Sequence, residues 1–276
     1  MKVSTSTSLL TNYLLEDAIG KVISLGFEGV DIWCGRPHLY RQDYSKDYVR
    51  MLGEKIKAGG LRVASVMPAF FRYPYSICSQ LESINDDSIR YMMDCIDNAK
   101  LVGAESVLVV PIKTMFNQTL DEARKIFMYN LAKICEYAES ENMDLNIEVI
   151  TPKLAGFVYE TKQAVQVIRE IGSDRLGIAL DTGHLNLTGE NTESALETAG
   201  DMLKQVHIND NNGLEQQNAV PGEGTFDFAS FGRLLEKHGY KGLLTLELGW
   251  HYSFDPDPVL SAALAATKKL MCETAS

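Results

Sequence analysis

Eight times along this chain a short apolar run gives way to a longer stretch with helical spacing. The runs are KVSTST (2–7), GVDIW (29–33), LRVASVM (61–67), SVLVV (106–110), DLNIEV (144–149), LGIALD (176–181), KQVHIN (204–209) and LLTLEL (243–248). Helical periodicity fills the spans 15–25, 44–59, 86–102, 119–141, 161–171, 191–199, 228–238 and 258–273. A strand that rejoins its sheet in parallel needs a crossover, and the usual crossover is a helix. Eight such units in 276 residues match the ~250 residues typical of a (β/α)8 barrel. A single TIM-barrel domain over 1–276 is therefore the predicted fold. The competing doubly wound sheet places a glycine-rich phosphate loop after its first strand, and STSTSLLTN has no glycine there.

The span 119–141 shows how the local signals work. Leu120, Ala123, Ile126, Phe127, Leu131, Ile134, Cys135 and Ala138 recur at three- and four-residue steps and make one face apolar. Thr119 with Glu122 reads as a capping box, and Asn142 as a left-handed stop. LVGAESVLVV, EIGSDRLGIAL and KHGYKGLLTLEL share a further device, a helix halted at glycine and followed within a few residues by a β-rich run.

Charge narrows the choice of partner. The formal net charge is −11, from 37 acidic and 26 basic residues, with no lysine or arginine cluster to offset it locally. Nucleic acid would be repelled, and a small neutral or cationic molecule suits the chain better. No apolar run approaches the roughly 18–20 residues of a membrane span. The N-terminal MKVSTSTSLLTNYLLEDAIG lacks the continuous apolar segment of a signal peptide. The five cysteines are odd in number and form no CxxC. These features predict a cytoplasmic protein with reduced thiols.

Strands five to eight end on residues that carry chemistry: Glu148, Asp181, His207 and Glu247. In a closed parallel barrel, neighbouring strand ends face one mouth, so the four can converge. Three buried carboxylates are costly without compensation, and a divalent cation supplies it. An oxygen-rich set with one nitrogen suits a six-coordinate ion such as Mn²⁺, Mg²⁺ or Co²⁺. His184, three residues after Asp181, reads as a substrate-contacting or supporting group, or as a plain turn residue. Trp33, Arg36 and His38 follow strand two, and FFRYPY (70–75), ending in Tyr75, follows strand three. Such loop residues either wall a sugar pocket or pack beneath a long loop. PGEG (221–224), with Glu223, reads as a lid at the mouth or as a turn.

DIWCGRPH, RYPYS, CEYAESENMDLNIEVITP, LDTGH, VHINDN and VPGEGTFDF, in this order, resemble the xylose-isomerase-like TIM-barrel sugar isomerases and epimerases. The likeness is greatest to the ketose 3-epimerases and fructoselysine 3-epimerase. The resemblance implies that Glu148, Asp181, His207 and Glu247 hold one divalent ion per chain, Mn²⁺ first, with Co²⁺, Mg²⁺ or Zn²⁺ as alternatives. It implies that Glu148 and Glu247 also move protons, inverting C3 of a ketose through a cis-enediolate. It assigns His184 to the substrate, and it implies a small-molecule sugar partner and a homo-oligomer of two or four chains. Two positions depart from the ketose 3-epimerase pattern: Leu154 stands where a second carboxylate is expected, and Gly213 where an arginine is expected. Both departures favour a modified or N-linked, fructoselysine-like ketose.

An aldose–ketose isomerase or a keto-sugar lyase would use the same groups. A nuclease of the apurinic/apyrimidinic type would need further histidines at the ends of strands two to four, where only His38 is near. A non-catalytic sugar-binding barrel would have no need of both glutamates.

Overall fold

The apolar runs become eight parallel strands in the computed structural model, which describes residues 1–70, 75–112, 117–154 and 157–272. They are β1 (Lys2–Ser6), β2 (Gly29–Trp33), β3 (Arg62–Met67), β4 (Ser106–Val109), β5 (Asp144–Val149), β6 (Leu176–Asp181), β7 (Leu203–Ile208) and β8 (Leu243–Leu246). Each pairs with its sequence neighbour and β1 pairs with β8, which closes the barrel. Among the described residues the helices are α1 (Leu15–Ser24), α2 (Lys46–Ala58), α3 (Glu82–Val102), α4 (Leu120–Glu141), α5 (Thr161–Ile171), α6 (Thr182–Thr188), α7 (Thr192–Ala199), α8 (Phe228–Lys237) and α9 (Pro256–Thr267).

Local chemistry accounts for the boundaries. The Thr119–Glu122 capping box is formed in both directions, and Asn142 ends α4 at φ 57°. Gly103 and Gly172 end α3 and α5 at φ 76° and 74°, a conformation that strains any residue with a Cβ. Three helices differ most from the sequence expectation. The first turn of α3 (Glu82 to Asn85) carries Ile84 as its one apolar residue, so apolar spacing alone starts the helix too late; the Asn85 amide bonds Ser79 on both sides, at 3.1 and 2.6 Å, and fixes the entry. Helix α9 begins two residues early because Pro256 is tolerated in a first turn. Helix α6 is not expected at all, since DTGHLNLTG is poor in helix formers. Its start depends on the Asp181 side chain, which accepts the His184 N–H at 2.9 Å.

Strands β2, β4 and β6 are buried along their whole length. Their outer faces pack on helices, as expected for a parallel sheet covered on both sides. Inside, the usual filling of branched aliphatic side chains gives way to a polar layer. Gln205 Nε2 lies 2.9 Å from Asp31 Oδ2 and 2.8 Å from Ser65 Oγ, and its Oε1 accepts from Asn146 Nδ2 at 3.2 Å. Thr245 Oγ1 donates to Asp31 Oδ1 at 3.2 Å and sits 2.6 Å from Ser4 Oγ. Strands from around the barrel are thus tied across its interior. Gln205 precedes His207 by two residues on the same strand face, so this layer forms the floor of the mouth.

Candidate metal centre and active site

Asp181 and His207 are register partners on β6 and β7. Glu148 stands one residue inside the end of β5. Glu247 stands one residue past β8, its N–H bonding Ile208 O at 3.1 Å and extending the ladder. Parallel strands therefore deliver all four side chains to one end of the barrel. One ligand atom from each lies within 4.8 Å of the others. His207 Nδ1 is 2.9 Å from Glu247 Oε2 and 3.4 Å from Glu148 Oε1, yet neither Nδ1 nor Glu148 Oε2 makes a hydrogen bond. Candidate donor atoms at these spacings are what neighbouring ligands present to an ion with bonds of ~2.1 Å.

Electrostatics favours the same reading. Burial pushes the Glu148 carboxyl up, and His207 offsets only part of that rise. Burial likewise raises Asp181. At Glu247 burial acts in the same direction, but the adjacent His207 and the charge of His184 bring it below its ordinary value. Burial presses His207 down, and Asp31, Glu148 and Glu247 around it lift it well above the usual imidazole range. One protonated imidazole cannot balance three carboxylates. A divalent cation can, and the donor set fits one.

The segment HINDN, residues 207–211, supports the site position by position. Asn209 donates to Asp181 Oδ2 at 2.6 Å, while Asp181 Oδ1 caps α6. The Asp210 carboxylate accepts from Gly222 N (2.9 Å), Gly224 N (2.8 Å), Phe226 N (3.2 Å) and Asn211 N (2.8 Å). PGEG is consequently pinned at its base. A Cβ at Gly224 would meet Asn211 O at 2.2 Å. Asn211 binds Gly183 O and, through its own Oδ1, Gly213 N and Asn186 Nδ2. Sequence reading assigns no role to Asn209, Asp210, Asp31 or Gln205. The available signal is polarity at inward strand positions, as in GVDIW and KQVHIN, and in the turn that follows β7.

The remaining expected residues separate into two groups. His184 is buried beside the quartet, its Nδ1 has no partner, and it acts electrostatically on Glu148, Asp181 and Glu247. Trp33 and Trp250 meet edge to face at 6.1 Å. They wall a cavity of about 490 Å³ that also takes in Glu247, Leu154, Leu248, His251 and residues 216–218. Glu223 is exposed and does not line this cavity; its carboxylate accepts from Tyr252.

Three other residues lie away from this cavity. Arg36 is solvent-facing and bidentate to Asp43 at 2.5 and 2.8 Å. Tyr75 is buried, stacked on Tyr91 at 3.9 Å, with its hydroxyl on Tyr40; this is packing beneath a loop, and residues 71–74 of FFRYPY lie outside the described residues. His38 is fully buried, with Nδ1 on Thr7 Oγ1 at 3.0 Å and Nε2 on Tyr13 O at 3.2 Å.

The burial of His38 makes a pH prediction. Burial lowers its pKa to about 4, against carbonyls that would raise it. The unfolded chain, with an imidazole near 6.5, then binds more protons than the folded one between pH 6.5 and 4. Its stability contribution is complete above pH 6.5 and is lost as pH falls toward 4. Wild type should lose on the order of 2 kcal/mol from this group by pH 5. Urea denaturation at pH 7 and pH 5 should show that loss much reduced in His38→Gln.

The model of the xylose isomerase-like TIM barrel family matches residues 19–270. The chain belongs to that family. Among its xylose isomerase-like relatives, fructoselysine 3-epimerase of Shigella flexneri is 26% identical over 259 residues, covering 94% of both chains. D-psicose 3-epimerase of Enterocloster bolteae is 27% identical over 236 residues, covering 82% of this chain and 74% of the relative. The barrel superposes on the crystal structure of the IOLI protein with a zinc atom at a TM-score of 0.82, with 20% identity and full coverage of both chains. No described helix of this xylose isomerase-like barrel is long and apolar enough to cross a membrane.

Proposed function

We propose that the chain is a metal-dependent sugar epimerase that inverts C3 of a ketose, with an N-linked, fructoselysine-like ketose as the preferred substrate. The observation that carries this reading is the meeting of two glutamates with Asp181 and His207 at one mouth. Carboxylates from β5 and β8, three strands apart around the barrel, reach a bound sugar from different sides.

Glu148, Asp181, His207 and Glu247 would hold a divalent ion, Mn²⁺ in the first instance, whose positive charge would polarise the ketone. The proton transfers belong to the protein. Glu247, which borders the cavity, removes the C3 proton. Glu148, whose Oε2 has no partner, delivers a proton to the opposite face, and the carbon is inverted. His184 Nδ1 bonds a substrate hydroxyl. Leu154 and Gly213 remove two polar contacts available to a free ketose, and the similarity to fructoselysine 3-epimerase over 94% of both chains supports the amine-linked choice. The reading includes a cytoplasmic setting and an assembly of two or four copies.

Product analysis tests both halves. Incubation with fructoselysine, psicose and tagatose should yield C3 epimers, with kcat/KM for fructoselysine at least about tenfold above either free sugar. Absence of epimer from all three contradicts the function. A free ketose with the higher kcat/KM overturns the amine-linked preference alone.

A further inference from the structure

We infer that Asp31, in the middle of β2, is a positioning residue that holds the Nε2 proton of His207 and so leaves Nδ1 free to bind the ion. Both side chains are completely buried. Nδ1 faces Glu247 and Glu148 at 2.9 and 3.4 Å, while Nε2 faces the polar floor. An imidazole that offers its Nδ1 lone pair must carry its proton on Nε2, and a buried N–H needs an acceptor.

Two groups lie within reach: Asp31 Oδ2 at 3.3 Å and Gln205 Nε2 at 2.8 Å. Asp31 and Ser65 take up the two hydrogens of the Gln205 amide, at 2.9 and 2.8 Å, and an amide nitrogen accepts nothing. Turning that amide round would set its oxygen against the Asp31 carboxylate and its nitrogen against Asn146 Nδ2, which now donates to Gln205 Oε1. Asp31 is the acceptor that remains. Its own position is fixed from three sides, by Ser65 Oγ at 2.7 Å, Gln205 and Thr245. A carboxylate behind a metal-bound histidine sets ring orientation and basicity, and losing it typically weakens metal binding about 10- to 100-fold.

The inference rests on the metal-site reading and is tested in the zinc-loaded protein by two measurements other than turnover. In ¹⁵N-histidine NMR of wild type, zinc should sit on His207 Nδ1, with a slowly exchanging Nε2–H. In Asp31→Asn that proton should shift and exchange faster, and zinc affinity, measured by competition with a chelator, should fall at least about tenfold. Ser65→Ala, which trims the same network but spares the Asp31–His207 contact, should stay within about threefold of wild type. Zinc on Nε2 in wild type overturns the inference without any variant. Unchanged affinity in Asp31→Asn also overturns it, and leaves the metal site standing. A wild-type protein that takes up no zinc overturns both.

Discussion

Glu148→Gln and Glu247→Gln should each reduce kcat by about 10²- to 10⁴-fold, the range expected for loss of a positioned general acid or base. Glutamine keeps the shape and a carbonyl oxygen but cannot exchange a proton. The fold should survive both changes. Each variant removes one negative charge from a buried cluster of three, and Glu148 is already pushed toward its neutral form by burial. Metal-free Glu148→Gln should therefore melt at or above the wild-type temperature. Calorimetry checks the fold, elemental analysis checks the ion, and turnover under saturating substrate gives the effect. Either variant retaining a tenth of wild-type turnover would exclude its glutamate from proton transfer.

Removing the ion should be equally severe. After exhaustive chelation, turnover should drop to background and return on addition of Mn²⁺ or Co²⁺. The reason lies in the buried quartet, where His207 is the cationic partner that the side chains of the cluster themselves supply to three carboxylates. Binding to the folded state alone should also stabilise it, by about 2.7 kcal/mol at a free ion concentration 100 times Kd. Asp181→Asn and His207→Asn should lose most of that thermal shift. Full activity in protein shown by elemental analysis to be metal-free would refute the site.

How much of the fold and site is legible in the sequence follows from the physics of each element. Every strand end lies within two residues of its expected position, because short β-rich stretches alternate with longer helical ones and several helices stop at glycine just before a strand. The four residues at the mouth can be grouped from the sequence alone, since in-register parallel strands send their ends to one place. The floor beneath them cannot. Asp31 and Gln205 are far apart in sequence and meet only because the barrel closes. A single Asp in GVDIW gives no hint of its partners. Helix α6 is hidden for a related reason, as its start depends on a cap from Asp181, a residue whose sequence position marks it as a ligand. His38 and Tyr75 look like pocket residues in sequence because loop aromatics and imidazoles serve packing and binding alike; only their hydrogen-bond partners separate the two uses.

Exchange of the C3 proton of a ketose by Glu148 and Glu247 is read by turnover in D₂O, followed by NMR with fructoselysine, psicose and tagatose run in parallel. Solvent deuterium should enter C3, and the C1 hydrogens should stay unlabelled. Deuterium at C1 together with an aldose product would rule out C3 epimerisation and make the chain an aldose–ketose isomerase.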